Sequence, residues 1–318
     1  MLSRVADSVY WMSRYLERAE NVARFIEVNH NLTLGDGDEL SQQWEPLVYI
    51  TGDHEHFSER FGAPTRDNVL QFLAFDRENP NSIVTCLERA RENARSIREV
   101  ISMSIWEQIN KFYHMVLAAA KAPGVVYNTP SEFCERVKTI GNTLVGMTDT
   151  TMSHGEPWHF ARIGRMIERA DKTSRIIDVQ YYLLLPTTSD IGSTLDVIRW
   201  SALLKSTSAL EMYRREHGRI VPAAVADFLI LNRYFPRSMH FCIVRAQESL
   251  RLIAGSHTGT FHFRSEKIVG RLRSELDYTH IKDIVERGMH EFIDDFQTRL
   301  NDLGAAIYSD FFLQSEAT

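Results

Sequence analysis

Residues 14–28, Arg14-Tyr-Leu-Glu17-Arg18-Ala19-Glu20-Asn-Val-Ala-Arg24-Phe-Ile26-Glu27-Val28, return 151 positions later as residues 165–179, Arg165-Met-Ile-Glu168-Arg169-Ala170-Asp171-Lys-Thr-Ser-Arg175-Ile-Ile177-Asp178-Val179. Working outward, residues 44–97 align without a gap to residues 200–253, and 17 of the 54 positions are identical. The identities include Trp44/Trp200, Gly62/Gly218, Arg77/Arg233, Pro80/Pro236, Ser82/Ser238 and Cys86/Cys242. A self-match of this length reads as a tandem internal repeat. We expect a single domain over residues 1–318, made of two homologous halves at about 1–150 and about 151–318.

A shorter pattern, Arg-Ala-x4-Arg-x-Ile, occurs four times, at Arg18, Arg89, Arg169 and Arg245. On a helix its Ala and the Ile seven positions later share one face, so each copy marks a buried seam flanked by two arginines. The first copy continues a stripe of Val5, Val9, Met12, Leu16, Ala19, Ala23 and Ile26 at steps of three and four, which predicts a helix from Ser3 to Asn31. The Gly/Asp cluster Leu34–Asp38 is read as its end. Pro80 and Pro236 are read as openings of the second and fourth motif helices. Further helices are expected at 104–120, 130–151, 157–184, 191–217, 223–232, 264–277 and 279–308, with a turn at Leu185-Pro186 and no strand alternation. The expected fold is all-α, a helical bundle of two tandem halves. Residues 104–157 and 254–318 show no counterpart to each other in sequence.

Composition narrows the function. A net charge of −6 argues against nucleic acid as a partner. Three cysteines, Cys86, Cys134 and Cys242, form neither a CxxC pair nor an even set, so no disulfide framework is expected. The N-terminal stretch reaches Arg14, Glu17 and Arg18 without an apolar core, which reads as no secretory signal, and no run approaches the roughly 20 apolar residues of a membrane span. The expectation is a cytoplasmic protein.

The first and third motif copies carry the densest charge, with Glu20→Arg24 and Asp171→Arg175 as acid-before-base pairs one turn apart. Two readings stand. In one, these residues form ion-pair ladders on solvated helix faces. In the other, the two helices meet near a pseudo-twofold axis and bring Glu17, Glu20, Glu168 and Asp171 together among Arg14, Arg18, Arg24, Arg165, Arg169 and Arg175. That arrangement would form a polar site for a ligand bearing carboxylates or phosphate. Glu17 and Glu168 are its candidate catalytic acids or bases, and the other eight residues its candidate ligand contacts.

Other chemistry is poorly supported. The arginines beside Glu17-x-x-Glu20 and Glu168-x-x-Asp171 oppose a dimetal site, and Pro157 makes Glu156-Pro-Trp-His159, beside His154, read as a helix opening rather than a metal motif. Phosphate-binding loops, dinucleotide fingerprints and hydrolase elbows are lacking. No metal or cofactor is expected. Cys86, Cys242, Trp44, Trp200 and the Tyr181–Leu185 run are read as packing residues.

The opening Leu2–Glu20, the segment Arg89–Arg98, Gly164–Asp171 and Gly270–Tyr278 together resemble the bacterial alpha-E domain family over the whole chain. The resemblance implies an all-helical protein named for its glutamate-bearing motifs, to which Glu17, Glu20, Glu168 and Asp171 correspond. It also implies partnership with a circularly permuted ATP-grasp protein, often with a transglutaminase-like protease and sometimes with a proteasome-like peptidase. The chain would then be the non-ATP-binding subunit of a peptide ligation or modification system, holding an acidic peptide or small molecule through its Glu/Arg cluster. A carboxylate-dependent enzyme acting on the ligation product and a plain assembly scaffold are the alternatives.

Overall fold

The stripe that begins at Val5 forms one side of α1 (Ser3–Thr33), and Val9, Met12, Ala19, Ala23 and Ile26 on it are all buried. The computed structural model describes residues 1–33, 44–182 and 194–313; the turn expected at Leu34–Asp38, the side chains of the Tyr181–Leu185 run and the turn at Leu185-Pro186 lie outside them. Three short helices follow, α2 (Glu45–Thr51), α3 (His54–Phe61) and α4 (Arg66–Leu70), and α4 runs into a π-helical turn at Gln71–Phe75. The first half continues with α5 (Ile83–Ser96), α6 (Met103–Lys121), α7 (Pro123–Asn128) and α8 (Pro130–Thr151). The second half comprises α9 (Glu156–Tyr182), α10 (Thr194–Ser206), α11 (Leu210–His217), α12 (Pro222–Leu231), α13 (Met239–Ala254), α14 (Arg264–Tyr278), α15 (Ile281–Arg287) and α16 (Met289–Ile307), ending in a π-helical turn at Tyr308–Phe312. Among the described residues there is no strand.

The packing has two matched groups. Helix α1 lies against α5 and α8, and α6 closes that group by packing on both. Helix α9 lies against α13 and α16, and α14 closes the second group in the same way. The groups join through α1 and α9. The Met1 amine sits 3.0 Å from Glu156, Tyr10 lies against Gly164, and Glu17 meets Arg169, so the separation stays near 154 residues and the two helices run parallel. Glu17 and Arg18 of α1 therefore lie at the height of Glu168 and Arg169 of α9. Helices α2 and α10 cross over: α2 packs on α9, and α10 packs on α1.

Matched positions serve the same local roles. Ser82 and Ser238 cap α5 and α13, each accepting a hydrogen bond from the backbone N–H three residues on. Cys86 and Cys242 each donate weakly to the carbonyl of Pro80 or Pro236. Trp44 and Trp200 are both buried.

The structure corrects the sequence reading in four places. Pro80 and Pro236 precede the helices rather than opening them: Ser82 N–H bonds to Asn79 O and Ser238 N–H to Phe235 O, which puts each proline at the second position of a turn that delivers the capping serine. The stretch expected at 191–217 breaks at Ser208, whose φ of 53° is left-handed, and the one at 279–308 breaks at Gly288, whose φ is 105°. Helices α2 to α4 are too short for their periodicity to register. The segments 104–157 and 254–318, unmatched in sequence, supply α6 and α8 against α14 and α16 in corresponding places, because an outer helix needs only an apolar face of the right spacing to hold its position.

Candidate functional site

Helices α5 and α13 bury one face and leave Arg89, Arg95 and much of Arg245 and Arg251 towards solvent. Helices α1 and α9 are packed on several sides, so their polar turns are buried along with the apolar ones. Of the four motif copies, only these two bring charge inside. Glu17 and Glu168 are 2% and 0% exposed. Each is held by the motif arginine of the other helix in a two-point fork: Arg18 donates through Nε to Glu168 Oε1 at 2.6 Å and through Nη2 to Oε2 at 2.9 Å. In return Arg169 donates through Nε and Nη2 to the two oxygens of Glu17, both at 2.8 Å. The Glu-Arg dipeptides of the two halves thus form a reciprocal clasp.

A second layer of partners differs between the halves yet keeps the same charge. Beside Glu17 and Glu20 stands Arg237, which donates to Glu17 at 3.1 Å, to Glu20 at 2.8 Å and to Asn21 at 2.9 Å. Its repeat equivalent is Asn81, which accepts from Arg18 at 2.7 Å. On that side the cation comes from Lys172, the repeat equivalent of Asn21, whose amine lies 3.2 Å from Asp171. Arg237 with Asn21 on one side therefore replaces Asn81 with Lys172 on the other. Substituting Arg237→Asn is expected to cost about 2 kcal/mol, because Glu17 and Glu20 each lose a charged hydrogen bond while keeping Arg169 and Arg24. Adding Asn21→Lys should recover more than half of that loss in urea unfolding, since it copies the solution used by the other half.

The ring is completed by Arg24, bonded to Glu20 at 2.9 Å and to the Ser208 hydroxyl, and by Arg175, bonded to Asp171 at 3.1 Å. Ser208 and Gly52 are repeat equivalents, both left-handed, and a Cβ at Gly52 would stand 3.0 Å from the Arg175 guanidinium. Each terminal arginine of the cluster thus reaches the α2 or α10 end of the opposite half. Arg14 and Arg165 break the symmetry. Arg14 bonds Glu168 at 2.9 Å and the Tyr10 hydroxyl at 3.2 Å, whereas Arg165 turns to Asp149 at 3.6 Å and leaves its buried Nε without a partner.

Burial alone would raise the carboxylate pKa values, but the arginines outweigh it: Arg169 and Arg237 hold Glu17 at about 2, and Arg18 and Arg14 likewise lower Glu168. Burial and the neighbouring Arg169 push Arg237 down to about 10. Carboxylates locked in this way stay ionised and have no oxygen free to exchange a proton with a ligand. The acid–base role expected of Glu17 and Glu168 therefore does not fit their geometry, since a working acid or base needs a pKa near the operating pH and access to its substrate. They fit a clasp. Eight cations (Arg14, Arg18, Arg24, Arg165, Arg169, Lys172, Arg175 and Arg237) surround four carboxylates, with Asp149 and Asp53 at the rim. One positive charge is left over on each side of the clasp.

Two cavities border the clasp at equivalent places. Arg14, Ile167 and Asp171 line a cleft of about 290 Å³, walled also by Trp11, Asn301 and Tyr308. The equivalents Arg165, Leu16 and Glu20 line a remnant of about 30 Å³, closed by α8. Glu20 is one methylene longer than Asp171, and its side chain presses on Gly141, where an added Cβ would lie 3.1 Å away. The cleft stays open where Asp171 is short and α16 presents Gly304 and Ala305. Sequence reasoning missed Arg237, Lys172, Tyr10 and Asn301. Arg237 lies outside the motif copies, and only a comparison of Asn21/Lys172 with Asn81/Arg237 would have pointed to it.

Among the described residues no group of three or more His, Cys, Asp or Glu side chains is placed to hold a metal ion. His159, of the Glu-x-x-His match, faces Ser249 at 3.3 Å. The three cysteines are buried, and burial pushes Cys86 and Cys242 up to about 12. No described helix is long and apolar enough to cross a membrane.

A family model for Alpha-E, described as a predicted alpha-helical domain with a conserved ER motif, matches residues 1–312. Uncharacterized proteins of Mycobacterium bovis and Mycobacterium tuberculosis are 24% identical to the chain over 309 residues, covering 89% of it and 33% of their own length. The chain thus spans about a third of the curated relatives it matches. No solved structure matches it.

Proposed function

This chain belongs to the Alpha-E family, and from that premise we propose that it is a non-ATP-binding helical subunit that holds an acidic peptide or small molecule in the cleft beside Arg14, within an ATP-grasp-linked peptide ligation or modification system. The observation that carries the reading is the asymmetry of the two equivalent cavities. The clasp has the same net charge on both sides, yet only the Arg14/Asp171 side leaves ligand-sized space. There a guanidinium already bound to Glu168 adjoins a side with one uncompensated cation, under aromatic walls from Tyr10, Trp11 and Tyr308. A carboxylate seated on Arg14 would lower the cost of that buried charge. The relatives support a partnered role, since the matching segment is a third of their chains. Under this reading the ATP chemistry belongs to the ATP-grasp partner, a transglutaminase-like protease acts in the same system, and the setting is cytoplasmic.

The test is calorimetric titration with a tri-glutamate peptide and copurification with the neighbouring ATP-grasp protein. Arg14→Gln is expected to weaken peptide binding about tenfold, the usual worth of one charged hydrogen-bonding contact. Arg165→Gln, at the equivalent closed position, should leave it unchanged. Equal losses in both variants would discard the cleft as the binding site.

A further inference from the structure

The link between α13 and α14 covers residues 255–263, whereas the equivalent link between α5 and α6 covers only 97–102. The longer link turns through Gly255 and Gly259, both at positive φ, and arches over the two helices to wall a second cavity of about 440 Å³. Its lining is basic: Arg251 from α13, and Lys267, Arg271 and Arg273 from α14. One acid faces them, Glu266, and its Oε2 accepts the backbone N–H groups of His262 and Phe263 at 2.8 and 3.1 Å, so that oxygen secures the start of α14. Thr258 and Thr260 add hydroxyls at the rim.

Comparison with α5 shows how Arg251 loses its carboxylate. In the first half Arg95 is matched by Glu92 at 2.7 Å. The equivalents are Arg251 and Glu248, but Glu248 turns to Arg245 and Arg162, both at 2.9 Å. Among the described residues Arg251 has no carboxylate partner, and its Nε is buried without a hydrogen-bond partner. Arg273 is bonded to Asp277 and to Gln247, and Lys267 lies over the Phe261 ring. The cavity is therefore lined by Arg251 and Arg271, neither of which forms an ion pair among the described residues.

We propose that this cavity binds the phosphoryl group of a small phosphorylated molecule. With Arg273 paired to Asp277, three cations, Arg251, Lys267 and Arg271, face the one acid Glu266; that excess matches a multiply charged oxyanion better than a single carboxylate, and guanidinium forks with the Thr258 hydroxyl suit its several acceptor oxygens. The site is distinct from the Arg14 cleft and owes nothing to the reading given for it. Calorimetric titration of the full chain with sodium pyrophosphate at about 150 mM salt, where loose surface attraction is screened, is expected to give saturable one-site binding. Arg271→Gln should weaken it about tenfold, and Arg251→Gln with Arg271→Gln about a hundredfold. Arg95→Gln and Arg14→Gln should leave it unchanged. Should Arg251→Gln unfold by circular dichroism, the pair Arg271→Gln and Lys267→Gln, both on exposed side chains, carries the same expectation. Absence of saturable binding, indifference to these substitutions, or tri-glutamate binding that is equally tight and equally weakened by Arg271→Gln would overturn the assignment.

Discussion

Replacing Glu168 with alanine is expected to cost the protein 3–5 kcal/mol, roughly the penalty for stranding buried charge. The carboxylate is wholly buried, and Arg14, Arg18 and Lys172 all point at it. Removing it leaves three largely buried cations, Arg14, Arg18 and Lys172, facing one another across α1 and α9 without the carboxylate that joined them. Against a typical total stability of about 5–15 kcal/mol, such a variant should be partly unfolded at 37 °C and should shift its urea midpoint strongly. Removing Arg18 as well should recover part of the loss, whereas removing Arg95, exposed on α5, should have little effect in either background. The same clasp sets an acid limit. The folded pKa of Glu17 is about 2 against an ordinary value of 4.5, and that of Glu168 is also lowered. Their contribution is therefore complete above about pH 4.5 and is lost as pH falls towards 2. Stability measured across that window should drop steeply in the wild type and more shallowly in Glu168→Ala, where one of the two depressed carboxylates is already gone. A parallel pH slope in both proteins would mean that the clasp does not carry the acid sensitivity.

The second large effect is steric. Gly164 lies in α9 where that helix touches α1, and a Cβ there would overlap the Tyr10 carbonyl oxygen, with the carbonyl carbon 3.2 Å away and the Arg14 side chain at 3.3 Å. Gly→Ala inside a helix ordinarily gains close to 1 kcal/mol. Here the obstacle is backbone, which cannot rotate aside, so Gly164→Ala should lose about 2–3 kcal/mol by forcing the two helices apart. It should also disturb the Arg18/Glu168 fork, which lies one turn further along. Gly146 in α8 provides the contrast: nothing stands within 4 Å of its added Cβ, so Gly146→Ala should show the ordinary gain. If both substitutions stabilise, the close approach of α1 and α9 is wrong.

Much of the architecture could be read from the chain itself, because helices long enough to show a stripe announce themselves. The reading placed α1, α6, α8, α9 and α14 within two or three residues of their observed ends. It failed where local geometry overrides periodicity. Ser208 takes a left-handed turn that its residue type does not advertise, and Ser82 and Ser238 rather than the neighbouring prolines start their helices. At the centre, residues 14 to 24 and 165 to 175 were picked out because they repeat with their charges intact. Whether those charges faced solvent or each other could not be read from one helix, since an acid four residues before a base looks the same in both settings. Arg237 shows the limit most plainly: it bonds Glu17 and Glu20 from more than 200 residues away, and no local pattern marks it.

The sequence by itself determined that the chain is helical and that one charged pattern recurs along it, with Glu17 and Glu168 at matching positions, because periodicity and recurrence are properties of the linear chain. Only the tertiary structure decided that α1 and α9 run parallel at the centre, that the glutamates act as a buried clasp, and that one of two equivalent cavities is open. Those outcomes depend on which faces meet and on a single methylene between Asp171 and Glu20, and such differences have physical meaning only when the surrounding helices are in place.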